Sequence, residues 1–276
     1  GLGFPDDVAA TTLECTREVL AEALSPEQAA LALSVVQAGL ERLAEAPSTL
    51  PSFIQDDMPL AHLARQYLDA LLRGERHEAS RLILTAADAG VGVGDIYLWV
   101  FQPVQREIGR LWQMNRISVA QEHYCTAVTQ AVMSQLYPRI FSTERVNRRL
   151  VATCVGGELH ELGVRMVADF FEMAGWDTYY LGANTPTESV LRALEERRAE
   201  VLAVSATITP HVGLAAELIA RVKATPATAH VQVMVGGYPF NVAPGLWRSV
   251  GADAYARDAQ EAVRVASALQ PARAVG

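Results

Sequence analysis

At 276 residues the chain is long enough for two domains with their own cores. Half of the residues are apolar, yet no apolar run approaches a membrane span and no signal-peptide pattern opens the chain, so neither a membrane partner nor export is expected. The net charge of −8 argues against nucleic acid as a direct partner, and the separated Cys15, Cys125 and Cys154 form no Cys-x-x-Cys pair, which suits a cytoplasmic chain without a zinc or disulfide framework.

Residues 6–46 read as two amphipathic helices. Leu13, Val19, Leu20 and Leu24 mark the first, and Ser25-Pro26-Glu27-Gln28 supplies an N-cap followed by Pro at the first position of the second. The proline-bearing stretch 47–59 reads as a linker, so residues 1–59 form a helical extension. Residues 60–141 are helical again, with breaks at Gly74, at Gly90–Gly94 and near Asn115, the pattern of a four-helix bundle. Trp112 is expected in the last turn of one bundle helix. Ser118-Val119-Ala120-Gln121 has the form of a capping box, which puts Glu122 and His123 in the early turns of the next helix. A tight connection between those helices would bring the three side chains to one pocket facing the C-terminal region. The polar, Arg-rich stretch 142–149 reads as a hinge.

From Leu150 the pattern alternates strand and helix, with strands near 150–155, 178–182, 201–207, 232–237 and 254–256. Parallel βαβ units, and hence a Rossmann-like (flavodoxin-like) α/β domain over 150–276, are the natural reading. Such sheets bind ligands beyond the carboxyl ends of their strands. Three elements fall there: Glu158-Leu159-His160-Glu161-Leu162-Gly163 after the first strand, Ser205-Ala206-Thr207 after 41 further residues, and Gly236-Gly237 after 28 more. An ordinary flavodoxin-like domain with a polar loop is the plain alternative.

This set resembles the signature of the cobalamin (vitamin B12)-binding domain, in which an acid-x-His-x-x-Gly loop, a Ser-x-Leu turn and a Gly-Gly pair sit at these spacings. The resemblance implies that His160 is the metal ligand, replacing the cofactor's own dimethylbenzimidazole base at cobalt. Glu158 would then take the second ring N–H, fixing the tautomer and raising ligand basicity. Gly163, Ser205, Thr207, Gly236 and Gly237 would line the channel for the nucleotide tail, with Ser205 hydrogen-bonding the buried base. The family more often has Asp where Glu158 stands and Leu where Thr207 stands.

The spacing from Trp112 across nine residues to Glu122-His123 is similar to the upper-face pocket of the CarH/LitR-type photoreceptors. There the Trp packs over the adenosyl group of adenosylcobalamin and the Glu and His contact the same side. Two departures stand out. Residues 1–60 are acidic and supply no winged helix-turn-helix, and Gln113 stands where those repressors have a His that can take cobalt after light, which excludes a bis-His product through that position.

The resemblance implies a light sensor and not an enzyme. It would bind adenosylcobalamin base-off and His-on, and change conformation on photolysis of the cobalt–carbon bond. Without direct DNA binding, its output would pass through a partner protein, an oligomer change or a fused domain outside this chain. A second chromophore such as biliverdin stays open. The alternative is a corrinoid carrier for methyl transfer, which shares the loop and the helical cap. His62, His77, His211 and His230 match no motif and read as surface or packing histidines.

Overall fold

In the computed structural model, residues 7–45, 50–141 and 143–269 are described. Residues 46–49 of the expected linker, residue 142 of the expected hinge and the two chain ends lie outside them. The helices of the first half are α1 (Val8–Ala23), α2 (Pro26–Ala44), α3 (Ala61–Leu72), α4 (Arg76–Asp88), α5 (Val93–Ile96), α6 (Gln102–Gln113) and α7 (Val119–Leu136). A π-helical turn, Tyr97–Phe101, joins α5 to α6, and a 3₁₀ turn, Tyr137–Arg139, follows α7. The second half runs β1 (Arg149–Cys154), α8 (Leu162–Met173), β2 (Asp177–Gly182), α9 (Thr187–Arg197), β3 (Val201–Ser205), α10 (His211–Ala224), β4 (Gln232–Gly236), α11 (Tyr238–Val242), α12 (Leu246–Ser249), β5 (Ala254–Tyr255) and α13 (Ala259–Ala268).

The chain divides into two compact units. The first holds the described residues up to Phe53 together with Arg106–Glu122, and the second holds Ile54–Gln105 and the described residues from His123 onward. In the first unit Pro26 opens α2 behind Ser25, as that dipeptide predicts. Leu13 lies against Gly39, where a Cβ would meet its Cδ1 at 3.7 Å. Val19, expected in the apolar stripe of α1, is instead exposed, because it points one residue's rotation away from half-buried Leu20. Buried Glu107 is paired with Arg110 at 2.5 Å and accepts from the Phe53 backbone N–H at 3.0 Å. The capping box before α7 forms: Gln121 N donates to Ser118 Oγ at 3.2 Å, and Ser118 N donates to Gln121 Oε1 at 3.0 Å.

In the second unit the sheet order is β2-β1-β3-β4-β5, with every pairing parallel. Alternate residues of each strand feed two apolar layers. Val151, Leu202, Val204, Val233 and Val235 pack with Leu191, Leu194, Leu218 and Ile219 of α9 and α10. Leu150, Ala152, Cys154, Ala203 and Met234 pack on the other face with Val164, Ala168 and Phe171 of α8 and with Ala262 and Ala266 of α13. Trp176, buried in that second layer, meets Phe171 edge-on at 5.0 Å. The chain reverses its winding between β1 and β3, so the loops leaving those two strands flank the crevice where such sheets bind ligands.

The helical part of this unit rests on α8 through a polar seam. Tyr97 Oη donates to Asp169 Oδ2 at 2.9 Å, Arg165 Nη2 donates to Ser134 Oγ at 2.8 Å, and Gln130 Nε2 donates to Glu161 Oε1 at 3.1 Å. Behind it, Tyr67 Oη and Thr129 Oγ1 sit 3.0 Å apart in the buried interior of the helices. Among the described residues no helix is long and apolar enough to cross a membrane.

Candidate functional site

Parallel pairing sets Cys154 beside Ser205 and Ser205 beside Gly236, so the last residues of β1, β3 and β4 form one row. All three motif elements therefore leave the sheet from the same edge. The β1 exit loop is then fastened sideways. Gly157, at φ +77°, donates its N–H to Asn184 Oδ1 at 2.8 Å, and Asn184 N donates to Glu158 O at 3.0 Å.

Glu158 is fully buried. Its Oε1 accepts from the backbone N–H of His160 at 3.0 Å and meets His160 Nδ1 at 2.5 Å. Its Oε2 accepts from Thr207 N at 2.7 Å and meets His211 Nδ1 at 2.9 Å. Burial alone would raise the pKa of this carboxyl, but the hydrogen bonds from the two imidazoles, Thr207 and the His160 amide outweigh it and hold the group well below the usual carboxylate range. An ionised carboxylate can only accept, so each imidazole presents Nδ1–H to it. Coordination of a metal by His160 would then fall to Nε2. The His160 side chain, 60% exposed, projects from the loop, whereas that of His211 is 14% exposed.

Thr207 thus acts through its backbone. His211, which no motif singled out, is a second histidine on the same carboxylate. The available signal was its place at the first residue of α10, six residues after Ser205, where the turn leaving β3 bends back toward the β1 loop. Ser205 is half-buried, and among the described residues its hydroxyl has no hydrogen-bond partner. Gly237 has φ +111°, and a Cβ there would stand 1.9 Å from Ala206 O, so this glycine is required where the loops leaving β3 and β4 cross. A Cβ on Gly236 would lie 3.1 Å from Ala256 O. Gly163 differs: its φ is ordinary for any residue and open space surrounds its Cβ position, so nothing in the polypeptide demands a glycine.

Trp112 lies in the last turn of α6 and Glu122 and His123 in the first turns of α7, as their spacing predicts. Trp112 and Glu122 belong to the first compact unit, while His123 belongs with His160 to the second. Among the described residues no group of three or more His, Cys, Asp or Glu side chains could enclose a metal ion. The donor set suits a cobalt whose equatorial positions a corrin already fills: one loop imidazole oriented by a buried carboxylate, a half-buried hydroxyl without a partner and an unfilled glycine at the mouth of the loop.

Comparison with known proteins matches a B12 binding domain model to residues 148–264 and a second B12 binding domain model to residues 63–137. Dimethylamine corrinoid protein 2 of Methanosarcina mazei is 31% identical over 121 residues, which is 44% of this chain and 55% of that protein. Dimethylamine corrinoid protein 3 of the same organism is 30% identical over 44% of this chain and 71% of its own length. The chain spans 55% of the length of several such relatives. The structure of the Methanosarcina barkeri monomethylamine corrinoid protein superposes with a TM-score of 0.67 at 23% identity, covering 75% of this chain and 98% of that one, a likeness of fold.

These relatives overturn the light-sensor expectation. They are corrinoid proteins named for methylamines, not photoreceptors, and they favour the alternative of a corrinoid carrier. The loop, turn and glycine pair identify the cofactor class without identifying its use. That use does not follow from the spacing of Trp112, Glu122 and His123, because a spacing between two helices does not establish an adenosyl pocket.

Proposed function

We propose, for a chain that belongs to the B12-binding domain family, that it is a corrinoid carrier for methyl transfer. In this reading His160 would ligate the cobalt of a bound cobalamin in place of the cofactor's own base, and the chain would present the cofactor to separate methyltransferases rather than catalyse the transfer itself. When bound, the corrinoid supplies a cobalt that takes up and gives away a methyl group. The chain's own residues bind and orient. Glu158 keeps the Nδ1 proton on His160 and directs Nε2 outward, Ser205 offers its hydroxyl to the displaced base, and Gly163 leaves room for the nucleotide tail beside the start of α8. Residues 60–141 act as the cap, 150–276 as the cofactor domain and 1–59 as an added extension. A methylated amine is the methyl-donor class this reading favours, because the related corrinoid proteins carry that name.

The observation that carries the reading is the completely buried, hydrogen-bonded Glu158 carboxylate set 2.5 Å from Nδ1 of an outward-facing loop histidine. Absorption spectra test it. The parent protein loaded with methylcobalamin should show a base-off, imidazole-coordinated spectrum, and His160→Ala should lose the imidazole signature. Adenosylcobalamin serves as the competitor, and a carrier should hold the methyl form at least as tightly. A base-on spectrum in the parent, or an unchanged spectrum in the variant, would reject the assignment.

A further inference from the structure

Glu161 directly follows His160, yet the carrier reading gives it no role. Its carboxylate collects three hydrogen bonds from three places: Gln130 Nε2 of α7 on Oε1, and Tyr180 Oη of β2 and the Ala183 backbone N–H on Oε2, each at 3.1 Å. The seat is shaped for it. Gly182 has φ +79°, and a Cβ there would stand 3.0 Å from Glu161 Oε2. The register of β2 against β1 also shifts at this point, between Ala152 and Thr153. Burial, together with the neighbouring Glu161, raises the pKa of Tyr180, so its hydroxyl keeps the proton that it donates.

Two further contacts give this seat a direction. Glu161 N donates to Leu159 O at 3.0 Å, closing a tight turn with His160 at its centre. Glu161, Arg165 and Asp169 follow at one-turn spacing along the start and body of α8 and meet Gln130, Ser134 and Tyr97 of the helical part. Of these three rungs only the first is made by a residue of the histidine turn.

We propose that Glu161 is a positioning residue that ties the His160 turn to helix α7, so that the seating of α7 sets how firmly the imidazole is held toward a bound corrinoid. The proposal rests on the assignment of His160 as axial ligand. A carboxylate held by three donors cannot shift without breaking at least one charge-assisted bond, and any shift passes through one residue of backbone to His160. Displacing α7 removes the Gln130 bond and leaves the Glu161 carboxylate with its donors on β2 and the β2–α9 connection. The cap that covers the cofactor would thereby also govern its lower ligand.

Amide hydrogen exchange on the protein without cobalamin tests the tie directly. Gln130→Ala should speed exchange of the 159–162 amides about tenfold, the change expected when one hydrogen bond to a charged acceptor is lost. Amides of β3 should keep the parent rate. Ser134→Ala breaks the neighbouring rung to Arg165 and should leave the turn at the parent rate, which a general loosening of the helices would not do. In the cobalamin-loaded protein, reduced to the Co(II) state, the nitrogen coupling in the electron paramagnetic resonance spectrum should report a smaller imidazole-bound fraction for Gln130→Ala than for the parent. Unchanged exchange in Gln130→Ala, or equal acceleration in Ser134→Ala, would overturn the tie. A parent protein that takes up no cobalamin would instead overturn the carrier reading, since the exchange experiment contains no cofactor.

Discussion

Glu158 can hold two imidazoles because it is buried and ionised at once. A hydrogen bond to a charged group is worth about 1.5–3 kcal/mol net, so four donors can keep a carboxylate charged in an apolar setting. Glu158→Ala should lower cobalamin affinity about 10–100-fold, the usual cost of removing the partner that orients a metal-bound histidine. His211→Ala should cost less, because His160 and Thr207 still supply three donors. Titration of both variants with cobalamin decides it, and equal losses would mean that His211 matters by another route. The glycines divide as sharply. Gly237→Ala places a Cβ 1.9 Å from Ala206 O at φ +111° and should cost about 3 kcal/mol or more, or prevent folding. Gly163→Ala, in the first turn of α8 and facing open space, should raise the unfolding free energy by about 0.5–1 kcal/mol through helix propensity while weakening cobalamin binding. Both are read from urea melts of the variants without cofactor.

At the level of elements, local chemistry carried far. Strand positions followed from β-branched runs, the start of α2 from Ser25-Pro26, and the start of α7 from Ser118 and Gln121, because those signals act within a few residues. The α8 seam could not be read that way. Asp169 lies on an amphipathic helix and reads as a solvent-facing acid until Tyr97, 72 residues away, covers it. Tyr97 in turn opens the π-helical turn, a widening that neither Gly94 nor Pro103 announces. Burial pushes the Asp169 carboxyl up to about 6, despite the Tyr97 hydroxyl and nearby Arg165, which favour ionisation. The folded chain therefore holds this proton more tightly than the unfolded chain. The stability it confers is full below about pH 4, falls as pH rises toward 6 and is lost above. Melts of the parent and Asp169→Asn between pH 5 and 7 should differ in slope, the parent losing on the order of 1–2 kcal/mol that the variant keeps. Parallel slopes would show that Asp169 is ionised throughout.

Across the whole molecule, charge and chemistry are segregated. Residues 1–60 contain ten acidic and two basic side chains, while residues 61–276 contain 21 of each, so the net charge of −8 belongs entirely to the first part. The B12 models match only the balanced remainder. The α/β architecture was legible because alternation of strands and helices is a property of the whole pattern. The cofactor class was legible because its signature residues leave neighbouring strands at one edge. The use of the cofactor was not, because a lower-face motif carries no record of what occupies the upper face. His211 and Glu161 were hidden for a different reason: their roles exist only once distant segments are brought together.

The unequal reasons for Gly163 and Gly237 also set an evolutionary clock. In a lineage that abandoned the cofactor, selection would release Gly163 at once, since alanine there is at least as good for the helix. Gly237 would stay, held by the crossing of two loops whatever the protein had become. On the proposed reading, in which Gly163 makes room for the nucleotide tail, the intact pair in this chain is what continued use would leave behind. Its descendants would betray disuse first at position 163, long before the fold showed any sign of it.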